Sequence, residues 1–439
     1  MKIEPRPERP PATSPREERY WDARDLEHEL KRVFEICHGC RMCVNYCGSF
    51  PAMFGAVDRD IERGATGAER LVAADFQEVT DLCWQCKLCY IKCPYTPDEG
   101  HEWALDLPRL LGREKAQRAR RNGVTLQDQA LGEPGLLGAL GSGPMAPLTN
   151  LVNTNRLVRK VQEKVVGISA EFPLPPFAQT TFSKWMDKHE PLSGAGSAGT
   201  VALFATCTGE YNLPAGAVNA VRVLEKNGFS VAYPKQTCCG IPNLDGGDVE
   251  AATAKARANV ETLIVEVDKG HPIVVVGPSC SYTIRKDWPH LLGTAAAEKV
   301  AANTFDLMEF LERLRREKKL VKEFKKSLGK VAYHAPCHLR AQKFGTPGAR
   351  LLGLAPDTEV DVIEQCSAVD GTWGMKAQHY EMGRKYAQKL VRGIEQAEAA
   401  LVVSDCPLSG LRIAKENGVK VLHPAQALAR AYGVEVDVE

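Results

Sequence analysis

The chain has 439 residues, of which 44% are hydrophobic and 25% are charged, and its formal net charge is +1 at pH 7. This is the composition of an ordinary folded protein with room for two or three domains, and the near-neutral charge gives no reason to expect nucleic acid as a partner. The unusual feature is the cysteine content, which is fifteen residues.

The first stretch of the chain, MKIEPRPERPPATSPREERYW, is rich in proline, arginine and glutamate and has no apolar core. It does not resemble a secretory signal, and we expect residues 1–25 to form a disordered tail. Without export, the protein would be cytoplasmic and its cysteines would lie in a reducing compartment. Thiols there bind metals or carry out redox chemistry rather than form structural disulfides.

Two cysteine runs with the spacing C-x-x-C-x-x-C-x-x-x-C follow, ICHGCRMCVNYC and LCWQCKLCYIKC. Three thiolates at this spacing can surround one iron–sulfur cube while the fourth reaches a neighbouring cube. Zinc closes at four ligands from two C-x-x-C pairs and leaves the third cysteine of each run unexplained. The predicted [4Fe–4S] ligands are Cys37, Cys40, Cys43 and Cys93 for one cluster and Cys47, Cys83, Cys86 and Cys89 for the other. Helical periodicity between the runs predicts a helical ferredoxin-like domain over residues 26–122.

Residues 123–199 are predicted to form a connector of helices and loops. A helix through ALDLPRLLGREKAQRARRNG ends at Gly123, and GEPGLLGALGSGPMAP is predicted to be a loop. LTNLVNTNRLVRKVQEKVVGI is predicted to be one amphipathic helix with a basic side and an apolar face. Such a helix can lie on a membrane, but we expect the apolar face to pack on the protein. That face carries Leu151, Val158, Val161 and Val165.

A repeated pattern of apolar runs and helical stretches begins at residue 200. TVALFAT, SVAYP and PIVVVG form the first pass, and KVAYHAP, EVDVIEQ and ALVVSD form the second. The pattern predicts two tandem α/β modules over residues 200–330 and 331–439, and an α+β multidomain fold overall. Loops at the carboxyl ends of parallel strands converge on one crevice. The cysteines that follow the runs are Cys207, Cys238, Cys239 and Cys280 in the first module and Cys337, Cys366 and Cys406 in the second.

A family resemblance rests on these cysteines and on the fragments between them. TCCGIP with its upstream and downstream cysteines resembles the cysteine-rich module of heterodisulfide reductase-related CCG-domain iron–sulfur proteins, which include C subunits of anaerobic glycerol-3-phosphate dehydrogenases. LPPFAQTTFSKWM, SCSYTIR, YHAPCHL, GTWGMK and VVSDC belong to the same resemblance. The resemblance implies an electron-transfer subunit that receives electrons from a flavoprotein dehydrogenase and passes them towards quinone. It also implies peripheral association with the inner face of the cell membrane.

The chain departs from this family at several positions. Full modules carry five thiols for a noncubane cluster, whereas Thr283 stands at the fifth position of the first module. In the second module, Ser367 replaces one cysteine of the pair and Ser409 follows Cys406. The first module could hold a further iron–sulfur cluster. The second could bind zinc through its three cysteines and His338, or no metal at all, and His334 is a further candidate ligand.

Three functions remain open from the sequence. The favoured one is an iron–sulfur relay between a flavin-dependent dehydrogenase, which oxidises glycerol 3-phosphate or a 2-hydroxy acid, and quinone or another acceptor. An enzyme that works like heterodisulfide reductase at the crevice of Cys207, Cys238, Cys239 and Cys280 is the second. The third is an electron donor to a soluble peroxide-reducing di-iron partner.

Overall fold

The structure, a computed structural model, describes residues 3–369 and 371–438. Residues 1 and 2 of the predicted tail, and residues 370 and 439 of the predicted second module, lie outside this range. Two compact units divide the chain: Met1–Gln129 with Pro242–Ala251, and Ala130–Ile241 with Ala252–Glu439. The finer domain boundaries expected from the sequence stay predictions.

The regular elements before residue 199 are helices in the part of the chain that the structure describes. They are α1 (Ala23–Cys40), α2 (Ser49–Glu62), α3 (Ala73–Asp81), α4 (Leu88–Lys92), α5 (Leu107–Asn122), α6 (Leu126–Gly132), α7 (Pro134–Gly141), α8 (Ala146–Thr154), α9 (Arg156–Val166) and α10 (Phe182–Met186). Short 3-10 helices lie at Glu18–Trp21, Pro97–Glu99 and Gly143–Met145.

In the first unit, α1, α2, α3 and α5 pack around a small apolar core. The rings of Phe34 and Phe76 meet edge to face with their centroids 5.6 Å apart. Asp22 starts α1 by accepting hydrogen bonds from the backbone N–H groups of the first turn. Arg113 of α5 is buried and pairs with Asp25 at 2.8 Å. These contacts hold α1 and α5 together in the domain that carries the first eight cysteines.

The connector differs from its sequence-based prediction in two respects. The segment predicted as a loop forms α7 and the start of α8, because Pro134 and Pro147 occupy the first turns, where proline is tolerated. The amphipathic helix predicted as one piece is two helices. Asn155 interrupts it with an extended backbone and caps α9 by accepting from the N–H groups of Leu157 and Val158.

The prediction that the apolar face of this helical segment packs on the protein is wrong. Of the four predicted face residues, Leu151 is 66% exposed, Val165 64% and Val161 59%, and only Val158 is partly buried. Arg159, on the other side of α9, is only 4% exposed. α9 therefore turns a charged side chain inward and an apolar face outward. No helix among the described residues is long and apolar enough to cross a membrane.

The second unit contains two four-stranded parallel sheets with the same strand order. The strands are β1 (Gly199–Phe204), β2 (Phe229–Ala232), β3 (Ile273–Val275), β4 (Thr304–Asp306), β5 (Gly329–His334), β6 (Thr358–Ile363), β7 (Leu401–Ser404) and β8 (Val421–Leu422). The orders are β2-β1-β3-β4 and β6-β5-β7-β8, and every pair is parallel. The mixed architecture predicted from the sequence is confirmed. The short strands β4 and β8 were not predicted.

Helices connect these strands and cover the sheets. They are α11 (Cys207–Tyr211), α12 (Ala215–Lys226), α13 (Ile241–Gly246), α14 (Val249–Asp268), α15 (Pro278–Tyr282), α16 (Trp288–Leu292), α17 (Ala295–Ala302), α18 (Leu307–Arg316), α19 (Cys337–Arg340), α20 (Pro347–Leu352), α21 (Ala377–Ala397), α22 (Pro407–Asn417) and α23 (Pro424–Tyr432). A π-helical turn lies at Thr283–Asp287 and a 3-10 helix at Trp373–Met375. One buried apolar cluster joins both sheets, with Leu203 and Val274 from the first and Tyr333 and Val403 from the second.

Gly240→Ala tests the tight turn that follows the adjacent cysteines. Gly240 has φ +92°, and an added Cβ would lie 3.2 Å from the backbone of Ala252. We expect the free energy of unfolding to fall by about 1–3 kcal/mol, measured by anaerobic urea denaturation. Gly112→Ala in α5 is the control, because its Cβ would meet nothing within 4 Å. A Gly240 variant as stable as this control would contradict the strained turn.

Candidate functional site

The structure brings together the four cysteines predicted to bind the first cluster. Burial raises the pKa of Cys37 far above its usual value, and the nearby thiolates of Cys93, Cys43 and Cys40 raise it further. Burial also raises the pKa of Cys43 to about 11, with Cys93 and Cys40 again contributing. Cys93 is far from the others in sequence, so the fold and not the local spacing places it here.

The second predicted set forms in the same way around Cys89. Burial raises the pKa of this thiol well above its usual value, and its charged neighbours, in decreasing order of effect, are Cys86, Cys83, Cys47 and Cys43. Burial raises the pKa of Cys47 to about 12, and Cys83 adds to the rise. Cys43 belongs to the first set but also raises the pKa of Cys89 in the second set. The two sets are therefore neighbours.

The two runs place their cysteines with the same turn geometry. Arg41 and Lys87 each follow the second cysteine of a run, and both have left-handed backbones, with φ of 51° and 63°. This conformation is uncommon for residues other than glycine and is found mostly where the surrounding structure holds it. The turn ends α1 after Cys40 and starts α4 before Cys89.

Each set offers four soft sulfur donors, which is the donor set of an iron–sulfur cube. Among residues 3–369 and 371–438, no three His, Cys, Asp or Glu side chains converge closely enough to hold one ion. In a cube each thiolate binds its own iron, so the four sulfurs stand further apart than four ligands around one zinc. Neighbouring thiolates that raise each other's pKa would be stabilised by the positive charge of iron.

The first crevice of the second unit holds a continuous row of four cysteine side chains. Cys207 begins α11 after β1, Cys238 and Cys239 follow β2, and Cys280 lies in α15 after β3. The Cys238 thiol has side-chain hydrogen bonds with Cys207 and Cys239, and Cys239 has another with Cys280. Sharing of protons along this row lowers the pKa of Cys238 well below its usual value and raises the pKa values of Cys207 and Cys239.

Two buried side chains support the turn that carries the cysteine pair. The indole N–H of Trp288 donates to the Cys239 carbonyl at 2.8 Å, and the side-chain amide of Asn259 donates to the Cys238 carbonyl at 3.1 Å. Thr283, at the position of the missing fifth thiol, donates its hydroxyl to the Ser279 carbonyl within its own helical segment. The row in this crevice is therefore one of four sulfurs.

The second crevice has the same topology but a different set of side chains. Cys337, Cys366 and Cys406 follow β5, β6 and β7, so the parallel strands bring them to one edge of the sheet. The hydroxyls of Ser367 and Ser409 are buried and lie 2.9 Å apart, within hydrogen-bonding distance. A serine pair thus stands where the family pattern has sulfur.

The two histidines considered as ligands have other partners. His334 is fully buried, and its Nδ1 and Nε2 contact the Ser404 hydroxyl at 2.9 Å and the Gln365 carbonyl at 3.1 Å. His338 contacts the Ser279 hydroxyl through Nδ1 at 2.9 Å, beside the first crevice. The zinc site through His338 stays a prediction, and these contacts give it no support.

A buried acidic pair between the two modules escaped the sequence analysis. Asp306 ends β4 and Asp405 follows β7, and both are almost fully buried. Burial raises the pKa of Asp405 to about 7, and burial and the nearby Asp405 carboxylate raise the pKa of Asp306 strongly. The only sequence signal was an acidic residue at the end of each strand, which is also common at helix caps.

Two family profiles match the chain and define its class. The citrate utilization protein B Fer4-like domain matches residues 30–122, and the cysteine-rich domain known as CCG matches residues 201–285 and 331–413. The chain thus combines a Fer4-like domain with two cysteine-rich domains. Together these families support iron–sulfur binding.

Curated relatives carry the assignment further. The chain is 29% identical over 323 residues to the C subunit of anaerobic glycerol-3-phosphate dehydrogenase from Escherichia coli strain K12, covering 72% of this chain and 80% of that protein. It is 28% identical to the B subunit of the CoM/CoB fumarate reductase from Methanothermobacter marburgensis, covering 53% of this chain and 46% of that protein. It is 29% identical to lactate utilization protein A of an Exiguobacterium species, covering 52% of this chain and 96% of that protein. The chain is homologous to the C subunit of anaerobic glycerol-3-phosphate dehydrogenase and carries matches to the Fer4-like and CCG cysteine-rich domains, which confirms the predicted resemblance.

His334→Gln tests the buried, neutral histidine. Burial lowers the pKa of His334 to about 4, so the unfolded chain takes up a proton first and stability falls as the pH drops from about 6.5 towards 4. We expect the variant to lose about 2 kcal/mol less stability than the parent between pH 7 and pH 5, measured by urea denaturation. His28→Gln on the exposed side of α1 is the control and should behave like the parent. If the stability of the His334 variant fell with pH as steeply as that of the parent, His334 would not be the buried, neutral histidine inferred here.

Proposed function

We propose that this protein is an iron–sulfur electron relay in an oxidoreductase complex. Two [4Fe–4S] clusters would be bound by the two cysteine sets of the N-terminal domain. The observation that carries the proposal is the meeting of thiols from separate parts of the sequence, Cys93 with Cys37 and Cys47 with Cys83. When bound, the clusters supply one-electron chemistry, and the protein sets their potential through ligands, hydrogen bonds and exposure.

The two cysteine sets differ in solvent exposure, and the difference indicates which set a redox partner could approach more closely. Cys40 of the first set is exposed, whereas Cys47 and Cys86 of the second are buried. A cluster near the surface can exchange electrons with a partner at short range, while burial shields the second from water. We infer that the first set is the contact point for a redox partner.

The first crevice is proposed to hold a further cluster. The row Cys207, Cys238, Cys239 and Cys280 offers four sulfurs, and Trp288 supports the turn that carries the central pair. Four thiolates suffice for a cubane cluster but fall short of the five in the full family module. The serine pair of the second crevice is poorly suited to iron, because Fe–S sites select soft sulfur over hydroxyl oxygen. We therefore propose a cluster in the first crevice only.

An enzyme acting at this first crevice is the second candidate. Its support is the lowered pKa of Cys238, because a stabilised thiolate is the reactive form of cysteine. Cys238 is buried, however, and the five-thiol site of the disulfide-reducing family members is incomplete. The relay therefore remains the better supported function.

The electron donor is proposed to be a flavoprotein dehydrogenase, with quinone as the acceptor. The support is that relatives are named as subunits of a dehydrogenase and of a reductase. Because these relatives belong to different complexes, their names do not identify the substrate of the partner protein. Whichever substrate is oxidised, its binding site would lie on the partner protein.

A lipophilic acceptor would require contact with the bilayer, and α7–α9 provide a suitable surface. Exposed apolar side chains on this surface are Leu136, Leu137, Leu140, Leu148, Leu151, Leu157, Val161 and Val165. On α9 the exposed Lys160 and Lys164 border the apolar side, as in helices that lie on anionic membranes. We propose that this surface rests on an anionic bilayer.

Paired cysteine substitutions test the predicted crossed ligation. Cys37→Ser and Cys93→Ser should weaken the same EPR signal of anaerobically reduced protein, and Cys47→Ser should weaken the other, because each set is one cage. The parent should contain about eight irons in these two sets. If Cys93→Ser instead changed the signal lost in Cys47→Ser, the proposed ligand sets would be wrong.

Cys239→Ser tests the cluster in the first crevice. We expect it to remove iron and EPR intensity beyond the two N-terminal clusters while leaving their signals unchanged, because those ligands belong to another unit. Cys366→Ser, at the equivalent place in the second module, is the matched control and should leave the spectrum as it is. An unchanged spectrum in both variants would remove the crevice cluster and leave the two-cluster relay standing.

Charge insertion on the apolar face tests the membrane contact. Leu157→Glu combined with Val161→Glu should reduce co-flotation with phosphatidylglycerol-containing vesicles by about tenfold, because apolar burial and cation attraction are both weakened. Val265→Glu on α14 is the control, since Val265 is also exposed, at 49%. Equal loss in both variants, or none in either, would contradict a contact specific to α9.

A further inference from the structure

A cavity of about 550 Å³ lies beneath the inner side of α8 and α9. Its walls include Arg156 and Arg159 of α9, Lys415 of α22, and Glu171 and Phe172 of the segment that follows α9. Three cationic side chains therefore face one anionic side chain. All of these residues belong to the second compact unit.

Arg159 is the buried charged residue that lines this cavity. Its side chain is almost fully buried, and Nη2 donates to the carbonyl oxygens of Ser169 and Phe172. Its Nη1 is buried without a hydrogen-bond partner. A buried donor on a cation that lacks an acceptor is costly, so this nitrogen is a place where a ligand oxygen would be stabilising.

The other charges around Arg159 leave a surplus of positive charge. Lys415 donates to the Glu171 carbonyl and lies 3.5 Å from the Glu171 carboxylate. Glu163 lies on the same side of α9, and its carboxylate accepts from the backbone N–H of Ala170. Burial lowers the pKa of Arg159, and these two carboxylates offset part of the effect. An arginine side chain remains charged in proteins. Arg156 at the rim is exposed and has no acidic partner among the described ion pairs.

We propose that this cavity binds a phosphate group, either as free phosphate or as the headgroup of an anionic lipid. Arginine presents parallel N–H donors that match the oxygens of phosphate, and charge-assisted hydrogen bonds of this kind are among the strongest in proteins. Phosphate carries enough oxygens to accept from Arg159, Arg156 and Lys415 together. The apolar wall that includes Phe172 and Leu174 can accommodate the carbon portion of an ester. The proposal does not depend on the iron–sulfur relay.

Calorimetric titration of the full chain with inorganic phosphate, at low ionic strength and with chloride as the reference anion, tests the site. The informative variant is Arg156→Gln with Lys415→Gln, because replacing Arg159 would also remove its bonds to the Ser169 and Phe172 carbonyls. The matched control is Lys160→Gln with Lys164→Gln, which removes the same charge from the other side of α9. We expect the first pair to weaken phosphate binding about tenfold and the second to leave it unchanged.

Co-flotation with phosphatidylcholine vesicles, with and without phosphatidylglycerol, distinguishes the two sources of phosphate. If free phosphate does not bind, but the Arg156 and Lys415 pair lowers binding to the phosphatidylglycerol vesicles more than the control pair does, the ligand is a lipid headgroup. If both pairs have equal effects on both probes, or neither probe binds the parent protein, the proposal is overturned.

Discussion

The free-energy cost of ionising desolvated thiols that lie close to one another is the constraint on which the rest of this molecule depends. In the N-terminal domain, Cys37 and Cys89 each lie among other cysteines, and burial together with neighbouring charge makes ionisation of each thiol unfavourable. A protein without a bound cation has little reason to gather so many sulfurs in one place. Bound iron would offset this cost, because its charge stabilises the thiolate form that binds it.

The two modules of the second unit differ in the number of thiols that they bring together. Both sheets have one strand order and bring the ends of their first three strands to one edge. In the first module that edge carries a row of four thiols, and in the second a bonded serine pair fills part of it. The two modules therefore share a sheet topology but differ in the side chains that could bind a metal. A second sheet that has lost donors can still stabilise the first, because the two share an apolar core that contains Leu203 and Tyr333.

The two cysteine runs and the main strands could be predicted from the sequence because both follow short-range patterns. Spacing within each run fixes a turn, and apolar runs that end at cysteine mark the carboxyl ends of strands. What could not be predicted depends on tertiary contacts. Periodicity identified the apolar face of α9 but could not show that Arg159 would be the inward side chain. Likewise, the hydrogen bonds that occupy His334 come from residues distant in sequence.

The outward apolar face and the inward arginine of α9 are each stabilised by a different kind of surroundings. The outer face needs a non-aqueous neighbour, and the inner cavity needs an anion. An anionic bilayer can meet both demands, because it offers acyl chains beside phosphate groups. The two N-terminal clusters and the membrane contact would then belong to different units of the chain, so that loss of these clusters and release from the membrane can be separated by substitution.

Native mass spectrometry of anaerobically purified protein tests the central claim most directly, because it counts the clusters on each intact chain. The account predicts a mass increase equal to at least two [4Fe–4S] clusters, which disappears when the iron is chelated. A chain that carries zinc alone, or no metal with all its thiols reduced, would contradict the conclusion that folding gathers these cysteines to bind iron–sulfur clusters.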